Sequence, residues 1–165
     1  GVCHCPTSNM VLASGICRTR ELEAAGVKVG LGVDGSASND NSNLMEGVRH
    51  ALMINRLKYG AAAVTHLDAL RWATEGSAAC IGRSDIGRIE PGMQADIAFY
   101  ALDELRFSGA GDALAALVLC GAHRAEKIMI GGKWQVEDGL PHGVDVERLR
   151  AEHGAIAREL AGAVT

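Results

Sequence analysis

The stretch Val27-Lys28-Val29-Gly30-Leu31-Gly32-Val33, followed directly by Asp34-Gly35, decides the fold class of this 165-residue chain. Every position of its first seven residues is apolar or glycine except Lys28. Such a run predicts a parallel β-strand that is buried on both faces. The acidic residue then falls where the strand ends.

Helices are predicted on both sides of this strand. Arg18 to Ala25 form a compact helix, and Gly26 suits its C-terminal cap. A second helix is predicted from Leu44 to Tyr59, and a third begins at the capping-box sequence Thr65-His66-Leu67-Asp68 and runs to about Ala79. An order of helix, buried strand and helix is typical of an α/β barrel or a doubly wound sheet. The buried stripe of the second helix is predicted to contain Leu44, Val48, Ala51, Leu52 and Asn55.

A second, shorter strand is predicted from Val2 to Cys5, ending at Pro6 and followed by a polar loop over Thr7-Ser8-Asn9. Two strands cannot close a parallel sheet, because both edges would expose unpaired backbone groups. We therefore expect this part of the chain to take further strands from elsewhere, as a fragment or as half of an assembly.

The sequence changes character near Gly82, where helical periodicity gives way to short runs divided by glycine and proline. The segment 127–136 predicts a hairpin whose Gly131-Gly132 suits a tight turn. A helix is predicted over about 111–120, and an amphipathic terminal helix over 144–163. These patterns predict three units: 1–81, barrel-like α/β; 82–143, a small β module with one inserted helix; and 144–165, a C-terminal helix.

Composition argues against several classes of binding partner. Apolar residues make up 48% of the chain, charged residues 22%, and the net charge is −4. An acidic balance disfavours nucleic acid and anionic membrane surfaces, and no apolar run approaches the ~20 residues of a membrane span. The five cysteines contain no Cys-x-x-Cys pair. They predict buried free thiols and a reducing, cytoplasmic location.

Asp34 is the principal candidate for chemistry. It follows a buried strand, and parallel α/β folds place their active sites at the C-terminal ends of strands. A carboxylate at this position can bind a divalent metal and accept a proton from an attacking water. Taken alone, Asp34-Gly35 is also compatible with an ordinary turn.

Cys3-His4-Cys5 is the other candidate metal site. Side chains alternate along a strand, so His4 is expected to face away from both thiols. A soft-metal site also normally needs four ligands, and no second Cys/His cluster exists in the sequence. Structural roles are predicted here and for the remaining histidines, which lack metal-ligand spacing: His50, His66, His123, His142 and His153.

Three motifs occur in a characteristic order: His4-Cys5-Pro6-Thr7-Ser8-Asn9, then 30–35 (Gly-Leu-Gly-Val-Asp-Gly), then 87–97 (Gly-Arg-Ile-Glu-Pro-Gly-Met-Gln-Ala-Asp-Ile). Together they resemble the amidohydrolase superfamily, in the branch that holds guanine deaminase and the chlorotriazine hydrolases. The segments 33–40, 106–112 and 115–122 are similar to the group of 8-oxoguanine deaminases, which convert 8-oxoguanine to urate and ammonia.

The resemblance implies a fold, a cofactor and roles for residues. The family fold is a (β/α)8 barrel beside a small β-sandwich, with one divalent ion, commonly zinc, at the barrel mouth. Asp34 matches the residue after the eighth strand that binds the metal and acts as general base. Ser38 matches a loop position near the substrate. The motif 4–9 matches the end of the seventh strand, where Ser8 and Asn9 are expected to fix the loop.

The sequence departs from the family pattern in its histidines. The His-x-His pair, two further histidines and a proton-shuttling glutamate belong to earlier strands, and none of the six histidines here lies in those motifs. We therefore predict that this chain alone neither holds zinc nor deaminates a ring, and that it needs the N-terminal part of the same enzyme. The family also implies a homo-oligomer.

Two alternatives stay open at this point. In the first, the enzyme is a triazine, pterin or guanine aminohydrolase of the same superfamily, and its substrate is another aminated heterocycle. Otherwise the chain is a non-catalytic structural or assembly domain.

Overall fold

The computed structural model describes residues 1–121 and 124–163. Predictions for His123, for the last residue of the motif 115–122 and for residues 164–165 lie outside this range. In chain order the elements are β1 Val2–His4, α1 Pro6–Val11, α2 Thr19–Ala24, β2 Val29–Leu31, α3 Leu44–Tyr59, α4 His66–Arg71, a π-helical turn Trp72–Gly76, α5 Ser77–Cys80, β3 Ile97–Phe99, a 3-10 turn Leu105–Phe107, α6 Ala113–Leu119, β4 Lys127–Ile130, β5 Lys133–Glu137, β6 Leu140–Pro141 and α7 Val146–Ala163.

β1 and β2 form a parallel two-stranded sheet in which Val2 pairs with Val29 and His4 with Leu31. All three residues of β2 are buried. The prediction of a parallel strand buried on both faces is confirmed, although regular pairing covers three residues rather than seven. The parallel pairing brings the C-terminal ends of both strands to the same edge.

Residues 6–9 are helical, so the predicted polar loop was wrong. The helix α1 begins at Pro6, directly after β1. Proline suits the first turn of a helix because its fixed φ is already helical and its missing N–H has no partner to lose there. The polar residues 7–9 therefore lie on a helix that leaves the end of β1.

The main hydrophobic core lies between β2 and α3. Val48, Ala51 and Leu52 of α3 are fully buried, as is Val64, and they pack with Trp72 and the strand. Asn55 is buried with them. Of the predicted stripe on α3, all positions are buried except Leu44, which is 38% exposed.

Asn55 is satisfied inside this core. Its side-chain oxygen accepts a hydrogen bond from Thr19 at 2.6 Å, and its amide donates to the Ala51 carbonyl at 2.8 Å. Because buried polar groups are costly unless hydrogen-bonded, this pair fixes α2 against α3 in one arrangement.

The predicted helix after Thr65 is present, and its capping box is confirmed. The Thr65 side chain accepts from the Asp68 amide, and the Asp68 carboxylate accepts from the Thr65 amide. The helix loosens into a π-turn at Trp72–Gly76 before α5. A Cβ atom on Gly76 would lie 2.1 Å from the Val29 carbonyl oxygen. This glycine therefore permits the close contact between the π-turn and β2.

Residues after 82 form one antiparallel sheet of order β3-β4-β5-β6. The predicted hairpin is confirmed as β4–β5, and both Gly131 and Gly132 have positive φ, as a tight primed turn requires. The inserted helix α6 begins at Ala113, and the side chain of the preceding Asp112 caps it. α6 contacts α3 and α4 and places Val118 in the main core.

The terminal helix α7 is as long as predicted to within two residues, but none of its residues is buried. Within residues 1–121 and 124–163, no helix has the length and apolar character that a membrane span requires.

Candidate active site

Asp34 lies three residues beyond the end of β2, at the edge where both parallel strands end. It is exposed and has a φ of +64°. A left-handed backbone is uncommon for a residue other than glycine, although aspartate tolerates it better than most. The Gly35 amide donates to Asp34 Oδ1 at 2.9 Å. The sequence prediction of a carboxylate at the strand mouth is confirmed in position.

Ser8 reaches Asp34 from the neighbouring strand end. Its hydroxyl donates to Asp34 Oδ2 across 2.6 Å, although the two residues are 26 positions apart in sequence. Ser8 is 3% exposed and lies on α1, the helix that follows β1. The parallel pairing of β1 with β2 therefore brings the two residues together.

Ser38 is buried beside them. Its Oγ lies 2.9 Å from Ser8 Oγ and 3.3 Å from Asp34 Oδ2. One helical turn in the loop positions it, since the amides of Ser38 and Asn39 both donate to the Gly35 carbonyl at 3.1 Å. The structure thus joins the two predicted site residues. A substrate contact of Ser38 stays a prediction.

These contacts favour the ionised form of Asp34. The Ser8 hydroxyl lowers the pKa of Asp34 below its ordinary value, and the Gly35 amide and the Ser38 hydroxyl act in the same direction against a partial desolvation. Hydrogen bonds to a carboxylate favour its charged form. At neutral pH the site therefore presents a negatively charged acceptor.

The side chains of His4 and Cys3 lie on opposite faces of β1. His4 is buried while Cys3 is exposed, as strand alternation predicted. Burial lowers the pKa of His4 to about 4, so its ring is neutral at pH 7. Partial desolvation and the neighbouring Cys80 thiol raise the pKa of Cys3, and partial burial together with the Asp34 charge raises the pKa of Cys5. Both thiols are therefore protonated at neutral pH, a form that binds metal poorly.

The prediction of buried cysteines was wrong. Cys3 and Cys120 are exposed, the other three are partly exposed, and all five are free thiols. Apolar neighbours in sequence did not bury them, because Cys3 lies on the open sheet and Cys120 at the end of the short helix α6.

A divalent ion would find one suitable donor here. Across the described part of the chain, no three His, Cys, Asp or Glu side chains come together as a metal site. Three of the other described histidines lie beside local side chains: His50 beside Thr7, His66 beside Asp112 and His142 beside Glu137. The chemistry of Asp34 fits a divalent cation, but the described residues do not complete a ligand set.

Sequence reasoning did not foresee the direct bond from Ser8 to Asp34, or the role of Asn39. The Asn39 side chain is buried and donates to the Val33 carbonyl at 2.9 Å, which fixes the peptide before Asp34. Both residues were part of quoted motifs. What would have linked them is the parallel pairing, which places the residues after one strand beside those after the next.

Known proteins resemble this chain over most of its length. The amidohydrolase family model matches residues 1–134. An 8-oxoguanine deaminase of Pseudomonas aeruginosa is 59% identical over 97% of this chain and 36% of its own length. An isoxanthopterin deaminase from an unknown prokaryotic organism is 35% identical over the same shares.

A solved structure, atrazine chlorohydrolase of Arthrobacter aurescens TC1 complexed with zinc, matches with a TM-score of 0.87 at 34% identity. The match covers 94% of this chain and 35% of the atrazine chlorohydrolase chain. The chain thus spans about a third of the length of the proteins it matches. The similarity includes the strand pair and the loop that carries Asp34, and the chain belongs to the amidohydrolase family.

Proposed function

We propose that this chain is part of a metal-dependent hydrolytic deaminase that converts 8-oxoguanine to urate and ammonia. The observation that carries the proposal is the ionised Asp34 carboxylate, held by Ser8 at the common end of two parallel strands. The 59% identity to an 8-oxoguanine deaminase over nearly the whole chain supports this substrate.

Asp34 has two roles in this proposal, metal ligand and general base. A divalent ion held there, zinc by analogy with the atrazine chlorohydrolase, would lower the pKa of water enough to make attack at neutral pH feasible. Asp34 accepts the proton as the water oxygen bonds to the ring carbon that bears the amine. A proton then has to reach the amine nitrogen so that ammonia leaves.

The substrate contact of Ser38 belongs to the same proposal. Ser38 lies beside the Asp34 carboxylate, so a ring held for attack there would pass close to its loop. A hydroxyl can donate to or accept from the heteroatoms of such a ring.

The remaining metal ligands have to come from outside the described residues, which supply a single suitable carboxylate. We propose that they belong to the N-terminal part of the same enzyme, since the relatives extend well beyond the matched segment. In this arrangement β1 and β2 are strands of a (β/α)8 barrel, and the antiparallel sheet is part of the adjoining β-sandwich. The five free thiols support a reducing, cytoplasmic setting, and a homo-oligomer is part of the proposal from family resemblance.

A second candidate is another aminated ring, since the chain is 35% identical to an isoxanthopterin deaminase and similar in structure to an atrazine chlorohydrolase. Substrate contacts outside these residues decide between the rings. A non-catalytic assembly domain is the remaining alternative. It would not explain why hydrogen bonds hold the Asp34 carboxylate at the end of the strands.

The test is an assay of the full-length enzyme with zinc and equal concentrations of 8-oxoguanine, isoxanthopterin and an aminated triazine. We expect loss of 8-oxoguanine absorbance with stoichiometric urate and ammonia, and slower turnover of the other rings. Faster turnover of another ring would replace the substrate. Absence of turnover with every ring, together with absence of zinc binding, would support the assembly domain instead.

A further inference from the structure

The two carboxylate oxygens of Asp34 have different hydrogen-bond partners. Oδ2 lies 2.6 Å from Ser8 Oγ and 3.3 Å from Ser38 Oγ. Oδ1 receives the Gly35 amide of the adjacent peptide at 2.9 Å. Two side-chain hydroxyls therefore hold one oxygen, and a main-chain group of the same loop contacts the other.

The direction of these bonds follows from counting hydrogens. Each serine hydroxyl has one hydrogen to donate, and an ionised carboxylate only accepts. Ser8 lies 2.6 Å from Asp34 Oδ2 and donates its hydrogen there, while Ser38 can donate its own hydrogen to the same carboxylate oxygen or to Ser8 Oγ. The 2.6 Å separation is in the range of charge-assisted O–H···O⁻ bonds, which are stronger than neutral ones.

Ser8 is anchored independently of the Asp34 loop. It is 3% exposed and lies on α1, which begins at Pro6 and packs against α3. The neighbouring Thr7 hydroxyl lies 2.9 Å from His50 Nδ1 on α3, which ties the same helix to the core. Ser38, in contrast, belongs to the loop that carries Asp34.

The backbone of Asp34 is fixed as well. Its φ of +64° is a costly conformation for a residue with a side chain, and it persists only where the surroundings determine it. The Asn39 amide holds the preceding carbonyl of Val33 at 2.9 Å. With the main chain fixed, the remaining freedom of Asp34 is rotation of its side chain.

We propose that Ser8 is the positioning residue of Asp34. Its buried hydroxyl holds Oδ2, stops rotation of the carboxylate, and leaves Oδ1 as the oxygen available to a cation or to a proton of water. The effect of this positioning on catalysis rests on the proposed function, because that effect requires Asp34 to be the general base. The positioning itself is a property of this chain.

The first experiment measures side-chain rotation by NMR in the full-length enzyme at pH 7. In Ser8→Ala we expect the χ1 coupling constants of Asp34 to average over rotamers and its carboxyl carbon resonance to shift. Thr7→Val is the matched control, since it removes the adjacent hydroxyl of the same helix and should leave Asp34 unchanged. Ser38→Ala should have a smaller effect, because its oxygen is further from Oδ2. Unchanged couplings and an unchanged resonance in Ser8→Ala would overturn the proposal.

The second experiment uses the full-length enzyme with zinc and 8-oxoguanine. We expect Ser8→Ala to lower kcat about 10- to 100-fold, the usual effect of removing a hydrogen-bond partner of a metal ligand, with KM changed less than about threefold. Ser8→Thr, which keeps the hydroxyl, should recover most of kcat. An unchanged kcat in Ser8→Ala would contradict the positioning role while leaving the deaminase intact. A wild-type enzyme that turns over no ring would refute the proposed function, and the NMR result would still decide the role of Ser8.

Discussion

Residues 1–81 and the helix α7 both carry apolar side chains at regular spacing, but they bury them to very different extents. In the first segment Val48, Leu52 and Val64 are completely buried around β2. In α7 no residue is buried, and Leu149 is 56% exposed. Packing energy is therefore concentrated around the strands that position Asp34. Regularly spaced apolar residues therefore contribute more to the free energy of unfolding in residues 1–81 than in α7.

The largest difference is expected for core truncation. Leu52→Ala removes a fully buried side chain and leaves a cavity, which typically costs about 2–5 kcal/mol. The matched control is Leu57→Ala on the same helix, where the side chain is 79% exposed and the cost should be below about 0.5 kcal/mol. Urea unfolding of both variants measures the difference. Equal losses would mean that the core is placed wrongly.

The free energy of unfolding is expected to depend on pH through His4, by nearly as much as it changes in Leu52→Ala. Burial lowers the pKa of His4 to about 4 in the folded chain, while the unfolded value is 6.5. Between these values the unfolded chain binds the proton and the folded chain does not, so stability falls as pH is lowered from about 6.5 to 4. The linkage amounts to at most about 3 kcal/mol. Unfolding free energies measured across this range should lose that component of their slope in His4→Gln, and an identical slope would contradict the burial of a neutral ring.

The capping box of α4 gives a smaller effect within the same segment. Thr65→Ala removes the side-chain acceptor of the Asp68 amide, which should cost about 1 kcal/mol. Thr65→Ser keeps the acceptor and should recover most of the loss in thermal or urea unfolding. Equal stability of the Ala variant and the parent would show that water replaces the cap at no cost.

The smallest effect is expected in α7. Leu149→Ala should change the unfolding free energy by less than about 0.5 kcal/mol, since the side chain contributes nothing to the cores of residues 1–121. A loss comparable to that of Leu52→Ala in dilute solution would show that α7 is packed against another surface, and the contrast between the two regions would disappear.

Sequence patterns predicted the elements that depend on local chemistry. The capping box at Thr65, the glycine turn at Gly131-Gly132 and the buried strand β2 all result from residues close together in sequence. The position of Asp34 followed from the same local logic, because the strand before it is apolar throughout. Family resemblance then assigned it a role.

What could not be predicted depends on contacts between distant residues. The polar run at 7–9 suggested a loop, but Pro6 starts a helix there. Cys3 has apolar or neutral neighbours and was expected inside, yet the strand face it occupies is open. The bond from Ser8 to Asp34 needs the register of β1 with β2, which a single sequence does not specify.

The most direct test of the proposed catalytic role compares two aspartates in the full-length enzyme with zinc. Asp34 and Asp138 both have positive φ and are exposed, but Asp138 lies in the turn between β5 and β6, in the other sheet. We expect Asp34→Asn to lower kcat for 8-oxoguanine by at least about 1,000-fold, because the amide cannot accept the proton of the attacking water. Asp138→Asn should keep the parent kcat. Retention of activity in Asp34→Asn would contradict the assignment of Asp34 as the general base.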